Sequence, residues 1–109
     1  MAEVIKILGQ LAPAASTYST LYTVTAGKSA VVSSISVCNT NASQQRVRVH
    51  LVPNGGSEGI GNALYYDVLI PANETLGSTM GFTMAALDFV RVYADSTGIC
   101  FQIFGSEVG

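Results

Sequence analysis

Gly27, Lys28 and Ser29 form a triplet that also closes nucleotide-binding phosphate loops. Such a loop needs a glycine five positions before the triplet's own glycine, and it must lead into a helix. Position 22 is tyrosine, and the residues after Ser29 alternate between apolar and polar as a strand does. We therefore interpret the triplet as a corner between two β-strands, where Gly27 permits an unusual backbone conformation.

The sequence contains no residue set typical of covalent or acid–base catalysis. Gly77 and Gly81 have the spacing of a nucleophile elbow, but Thr79 stands where the serine would be, inside a strand pattern. His50 is the single histidine, and no neighbouring acidic residue orients it. We expect no enzyme and no catalytic residues, with His50 on a strand surface or at an interface.

Metal and cofactor sites are not indicated either. One histidine and two widely separated cysteines give no recognisable ligand spacing. Four carboxylates near predicted turns would have to converge to bind calcium, and hydrogen bonding within loops is the simpler role for them: Asp67, Glu74, Asp88 and Asp95. We expect no metal and no cofactor.

The two cysteines, Cys38 and Cys100, both fall in predicted strands. They could pair as a disulfide. Two reduced thiols are favoured, because the first residues do not form a secretory signal and free cysteines commonly act as small buried residues.

Composition indicates a folded domain with a weakly charged surface. The chain has 109 residues, of which 49% are hydrophobic and 11% charged, against about 25% charged in an ordinary domain. Such surfaces associate readily, so we expect a homo-oligomer or docking onto a larger assembly. A formal net charge of -2 argues against direct nucleic-acid binding. No apolar run is long enough to cross a membrane, so no membrane partner is expected.

Period-two alternation predicts the fold. About eight short strands, separated by turn residues, are predicted at 4–8, 18–24, 30–39, 44–52, 62–70, 75–84, 88–95 and 98–105. This spacing is typical of an antiparallel β-sandwich of jelly-roll type, with 1–109 as one domain. Residues 1–9 would be a contact arm or an edge strand, and the Gly-rich loop 53–62 a second contact arm. A helical turn is expected only near 85–87.

Several predicted strands carry apolar residues on both faces. Alternation places Val31 and Tyr66 inside, whereas Tyr65 and other large side chains fall opposite the presumed core. One sandwich has one interior, so a neighbouring subunit would have to cover the second set. The interface candidates are Ile5, Ile7, Arg46, Arg48, His50, Tyr65, Leu69, Phe89, Tyr93 and Phe104.

Three stretches together resemble small structural proteins encoded by tailed bacteriophages and prophages. The three stretches are "IKILGQLAPAASTYSTLYTVTAGKSAVVSSISVCNTNA", "LYYDVLIPANETL" and "AALDFVRVYADSTGICFQIFGSEV". Together they cover nearly the whole chain. The Ile-Pro-Ala-Asn turn and the Phe-Gly-Ser-Glu ending are shared, while Thr25 stands where similar sequences often have proline. The resemblance implies a virion component, made in the bacterial host cytoplasm, and supplies no catalytic residues.

Two placements in the virion follow from these observations. The leading hypothesis is a capsid decoration or cement protein that contacts other virion proteins such as the major capsid protein. The alternative is a tail, collar, baseplate or fibre module, which could bind host surface glycans through tyrosines such as Tyr65 and Tyr93.

Overall fold

Two antiparallel sheets packed face to face make up the part of the chain that the computed structural model describes, residues 3–109. Their strands are β1 (Glu3–Leu11), β2 (Ser19–Thr23), β3 (Ser29–Asn39), β4 (Gln45–Val52), β5 (Ala63–Ile70), β6 (Thr75–Ser78), β7 (Phe82–Met84), β8 (Phe89–Ala94) and β9 (Ile99–Val108). A short 3₁₀ helix, Ile60–Asn62, precedes β5. The all-β sandwich predicted from alternation is confirmed.

Strand pairing is nested, which is the jelly-roll arrangement. The first sheet has the order β1-β9-β3-β6, with β7 also paired to β3, and the second has the order β2-β8-β4-β5. Thus β1 pairs with β9, β2 with β8, β3 with β6 and β7, and β4 with β5. The chain therefore has the topology of one long hairpin, rolled so that successive strand pairs fall alternately in the two sheets.

The interior between the sheets is filled by alternate residues of the long strands. These are the positions that a two-residue period assigns to one face, and branched side chains suit them because they pack well on a pleated surface. Each fully buried valine, isoleucine or phenylalanine contributes about 1.5–3 kcal/mol relative to exposure. The fully buried set includes Val32, Ile35, Val37, Val47, Val49, Val90, Val92, Ile99, Phe101 and Ile103.

A β-bulge in β3 places Val31 on the outside, contrary to prediction. The register between β3 and β9 shifts between Val32 and Ser34, so Ser33 is an extra residue that reverses the alternation. Opposite it, Gly105 lies so close to β3 that an added Cβ would stand 2.0 Å from the Val31 carbonyl oxygen. Glycine is required at this position because the backbones of β3 and β9 approach so closely.

A second bulge corrects the prediction for β5. The register with β4 shifts around Val49, and Tyr66 and Asp67 together lie opposite Arg48. Asp67 has a φ of 54°, a left-handed conformation that aspartate tolerates. Consequently Tyr65 points into the core and Tyr66 lies outside, the reverse of the predicted assignment.

The remaining local predictions are mostly met. Lys28 N–H donates to the Thr25 carbonyl and Gly27 has a φ of 79°, so the Gly-Lys-Ser triplet is a corner that opens strand β3. The expected strand 75–84 is two strands, β6 and β7, which raises the strand count. The expected helical turn at 85–87 is a tight turn, in which the Asp88 carboxylate accepts from Ala85 N–H.

Candidate assembly surfaces

An apolar surface lies on the outer face of the first sheet, where its edge strand begins. Ile5 is 82% exposed and Ile7 53% exposed on β1. Ser106 lies between Ile5 and the exposed Val31 in the strand register, and Phe104 lies directly beside Ile7. We call these four apolar side chains the edge patch: Ile5, Ile7, Val31 and Phe104.

The strand that carries half of this patch is also an unprotected sheet edge. Within residues 3–109, β1 pairs with β9 on one side and with no strand on the other. Natural edge strands are commonly guarded by lysine. Here the Lys6 ammonium reaches inward to Glu107, at 3.2 Å. The edge therefore combines unpaired backbone groups with large exposed aliphatic side chains.

Glu107 ties this edge strand to the second sheet. Its carboxylate, which is buried, accepts hydrogen bonds from the Tyr22 hydroxyl and from the Thr25 hydroxyl at 2.9 Å. One charged side chain therefore links β1, β2 and β9. No motif in the sequence singled out Glu107, although it shares the inward alternation of Ile99, Phe101 and Ile103.

These contacts shift the pKa of both partners. The Tyr22 hydrogen bond is the largest influence lowering the pKa of Glu107, to about 2, and Thr25 and Lys6 lower it further while burial opposes them. Burial, followed by the hydrogen bond to Glu107, raises the pKa of the Tyr22 hydroxyl. Glu107 is therefore held as a carboxylate.

The outer face of the second sheet carries a different surface, the Arg48 cluster: Tyr18, Arg48, Tyr66, Asp67 and Tyr93. The Arg48 guanidinium donates to both Asp67 carboxylate oxygens, at 2.7 and 3.3 Å. It also stacks 4.4 Å from the Tyr66 ring centre and 5.0 Å from that of Tyr93. The hydrogen bond to Arg48 is the main cause lowering the pKa of Asp67. The Arg48 cluster is thus an aromatic surface in which the charge of Arg48 is paired with that of Asp67.

His50 lies beneath this cluster and is 1% exposed, which corrects its predicted place on a strand surface. Its Nδ1 stands 3.0 Å from the Gly59 carbonyl oxygen and 2.9 Å from Asn62 Oδ1. That amide oxygen also accepts from Gly59 N–H, so Nδ1 carries the proton and Nε2 accepts from the Tyr18 hydroxyl, at 3.1 Å. His50 therefore anchors the loop 53–62 to β4.

Most of the other interface candidates lie on the outer face of the second sheet. Leu69 is half exposed on β5, while Phe89 and Tyr93 are half buried on the same outer face. Arg46 stands 3.9 Å from the Asp95 carboxylate. Tyr65 is buried, so it is unavailable for a partner or a glycan. The interface role of the exposed candidates stays a prediction.

A metal site is not assembled in residues 3–109. No three His, Cys, Asp or Glu side chains there are grouped to hold a metal ion. A shallow cavity of about 200 Å³ is lined by Leu51, Val52, Pro53, Thr83, Met84 and Asp88. The Asp88 carboxylate is occupied by backbone N–H groups of Asn54 and Ala85. In the described chain, no helix is long and apolar enough to span a bilayer.

Similar folds occur in proteins of filaments and viral particles. No family model and no curated protein sequence matches the chain. A protein of Bacillus endospore appendages, which form disulfide-linked pili, is 12% identical with a TM-score of 0.53, covering 98% of this chain and 84% of that one. A chain of infectious bursal disease virus, Gx strain, is 9% identical with a TM-score of 0.52, covering 97% of this chain.

A further match is a chain of the T13 particle of infectious bursal disease virus, 8% identical with a TM-score of 0.54. It covers 97% of this chain. The chain spans about a third of the two viral chains, 32% and 30% of their lengths. At these identities the similarities establish the shared jelly-roll fold.

Proposed function

We propose that this chain is a non-enzymatic structural subunit of a bacteriophage virion, which decorates or cements the capsid through the edge patch. The observation that carries the proposal is the position of that patch. Ile5 and Ile7 stand on an unpaired edge strand, continuous with Val31 and Phe104 across the outer face of the first sheet. A surface of this kind is stabilised when a neighbouring subunit covers it.

The fold and the sequence support the same role. The similar folds come from pili and from a viral particle, which are built from many subunits. The resemblance of three long stretches to small phage structural proteins supports a place in the virion of a tailed phage. In residues 3–109 the histidine is buried and the Asp88 carboxylate already accepts backbone hydrogen bonds, which agrees with a structural role.

Interface energetics favour repeated weak contacts. Burial contributes about 25 cal/mol per Å² of apolar surface, and a stable interface buries roughly 800 Å² per partner. Association costs offset much of this gain. Because a shell repeats each contact many times, a patch of modest size can still retain the protein firmly.

The copy number in purified particles tests the proposal. We expect this chain to be present in stoichiometric proportion to the major capsid protein, on the order of hundreds of copies per particle. Quantitative mass spectrometry of purified virions measures that ratio. Absence from the particles would overturn the virion role.

A few to a few dozen copies would instead favour the alternative, a tail, collar, baseplate or fibre module. One observation supports glycan binding by such a module: Tyr66 is 47% exposed and lies near Tyr93 on the outer face of the second sheet. Glycan-array binding that is lost in Tyr66→Ala would support it, and binding unchanged in that variant would remove the proposed residue.

A further inference from the structure

The two cysteines of the chain meet on the outer face of the first sheet. Cys38 on β3 and Cys100 on β9 are direct partners in the antiparallel register, and no other cysteine occurs in the sequence. Both thiols are free and partly exposed. Folding therefore brings together two nucleophilic groups that lie far apart along the chain.

Neighbouring hydrogen bonds identify the type of cross-strand pair. Thr40 N–H donates to the Gly98 carbonyl at 3.0 Å, two positions further along the same register. Thr40 and Gly98 are therefore a pair joined by backbone hydrogen bonds. Such pairs alternate with non-hydrogen-bonded pairs in antiparallel sheets, so the backbones of Cys38 and Cys100 also form a hydrogen-bonded pair. Independently, Asn39 N–H donates to Glu74 on the other side of β3, which leaves the backbone of Cys38 directed towards β9.

This pair type sets the spacing of the two thiols. The Cα atoms of a hydrogen-bonded pair are about 5.5 Å apart, inside the range of about 4.4–6.8 Å that a disulfide spans. Their Cβ atoms, however, are about 5 Å apart, whereas a relaxed disulfide holds them at about 3.8 Å. Bond formation must draw the two strands together locally. A disulfide here is therefore reachable but strained, and strain makes a disulfide easier to reduce.

We propose that Cys38 and Cys100 are a reversible redox site, which closes to an intramolecular disulfide by exchange with a low-molecular-weight disulfide. One cysteine thiolate attacks the oxidant's S–S bond, giving a mixed disulfide and releasing one small thiol. The second cysteine thiolate then attacks the first cysteine's sulfur and releases the other small thiol. The protein loses two electrons and two protons, and the oxidant becomes two thiols.

The location makes the exchange practical. Both side chains are reachable from solvent, unlike the core residues Ile99 and Phe101 next to Cys100. The bond would join the two central strands of the first sheet, four residues along β9 from Phe104 and seven along β3 from Val31 of the edge patch. The redox proposal does not depend on the proposed virion role, so it can be tested on the isolated protein.

Titration with oxidised glutathione tests the proposal directly. The folded protein is incubated with the oxidant, remaining thiols are alkylated under denaturing conditions, and the intact mass is measured. We expect the wild type to lose both free thiols and to carry no glutathione. The matched variants Cys38→Ser and Cys100→Ser should each stop at one glutathione adduct. Circular dichroism checks that both variants keep the β-sheet spectrum.

Reduction of the product tests the strain. We expect about a tenfold excess of reduced over oxidised glutathione to restore most free thiols in the wild type, since strained disulfides are the labile ones. Any of three results would overturn the proposal: glutathione adducts or disulfide-linked dimers in the wild type, thiols that stay free under the oxidant, or a disulfide that resists this excess.

Discussion

The hydroxyl groups of Tyr22 and Tyr65 differ in their hydrogen bonding inside the sandwich. Tyr22 donates to the buried carboxylate of Glu107. The Tyr65 hydroxyl is buried without a hydrogen-bond partner among residues 3–109. A buried polar group left unpaired costs about 1–3 kcal/mol, so the same chemical change at the two positions should have opposite effects.

We expect Tyr65→Phe to leave the free energy of unfolding unchanged or to raise it by about 1 kcal/mol, because it removes an unpaired hydroxyl and no contact. Tyr22→Phe is the matched change, and it should lower that free energy by about 1–2 kcal/mol because it removes a charge-assisted bond. Urea unfolding of both variants at pH 7 measures the difference. Equal losses would contradict the assignment of these hydroxyl environments.

Glu107→Gln tests the carboxylate that fastens the edge strand. The change removes the ion pair with Lys6 and weakens the bonds from Tyr22 and Thr25. We expect a loss of about 2 kcal/mol in the free energy of unfolding at pH 7. Glu74→Gln, an exposed carboxylate in a turn, is the control and should be nearly neutral. A loss in the control as large as in Glu107→Gln would contradict the special role of this site.

The same carboxylate predicts an acid dependence of stability. The pKa of Glu107 is lowered from 4.5 to about 2 in the folded protein. A carboxylate with a depressed folded pKa stabilises the fold above its unfolded pKa, and this contribution is lost as the pH falls through the folded pKa. The wild type should therefore lose its advantage over Glu107→Gln between about pH 4.5 and 2. Denaturant unfolding of both proteins across that window measures the effect, and a constant difference would count against it.

At the scale of the strands, the bulges in β3 and β5 decide which side chains of these two strands face outward. Alternation correctly assigned the interior of β4, β8 and β9, because these strands run without an inserted residue. It failed at Val31 and at Tyr65, since each lies beside a register shift that reverses the alternation. No local pattern marks such an insertion, which depends on the partner strand. Glu107 could have been found, because it continues the inward set of β9.

Gly105→Ala tests the close approach of β9 to the bulge in β3. An added Cβ would lie 2.0 Å from the Val31 carbonyl oxygen, so the two strands must separate. We expect a loss of about 2–3 kcal/mol in the free energy of unfolding. Gly77→Ala on β6 is the matched control, because its added Cβ would meet nothing within 4 Å. An unchanged free energy of unfolding in Gly105→Ala would show that this close approach does not constrain the sheet.

At the scale of the whole molecule, the fold separates two outer surfaces. The second sheet covers its charges with tyrosine rings and ion pairs, whereas the first sheet exposes aliphatic side chains beside an open strand edge. Sequence alternation predicted that some apolar residues would need a second cover. It could not predict that they gather at one edge, because that grouping depends on the pairing of β1 with β9 and of β9 with β3.

Retention of point variants in virions is the most direct test of the edge patch. Particles are produced with wild type, Ile5→Asp or Ile60→Asp as the sole source of this chain, and its copies per particle are counted by mass spectrometry. Ile60 is as exposed as Ile5 and lies on the loop 53–62, the other predicted contact arm, so this variant separates attachment through the edge patch from attachment through the loop. We expect at least about a tenfold loss for Ile5→Asp, because a charge would be buried at the contact, and wild-type retention for Ile60→Asp. Full retention of Ile5→Asp would contradict attachment through this patch.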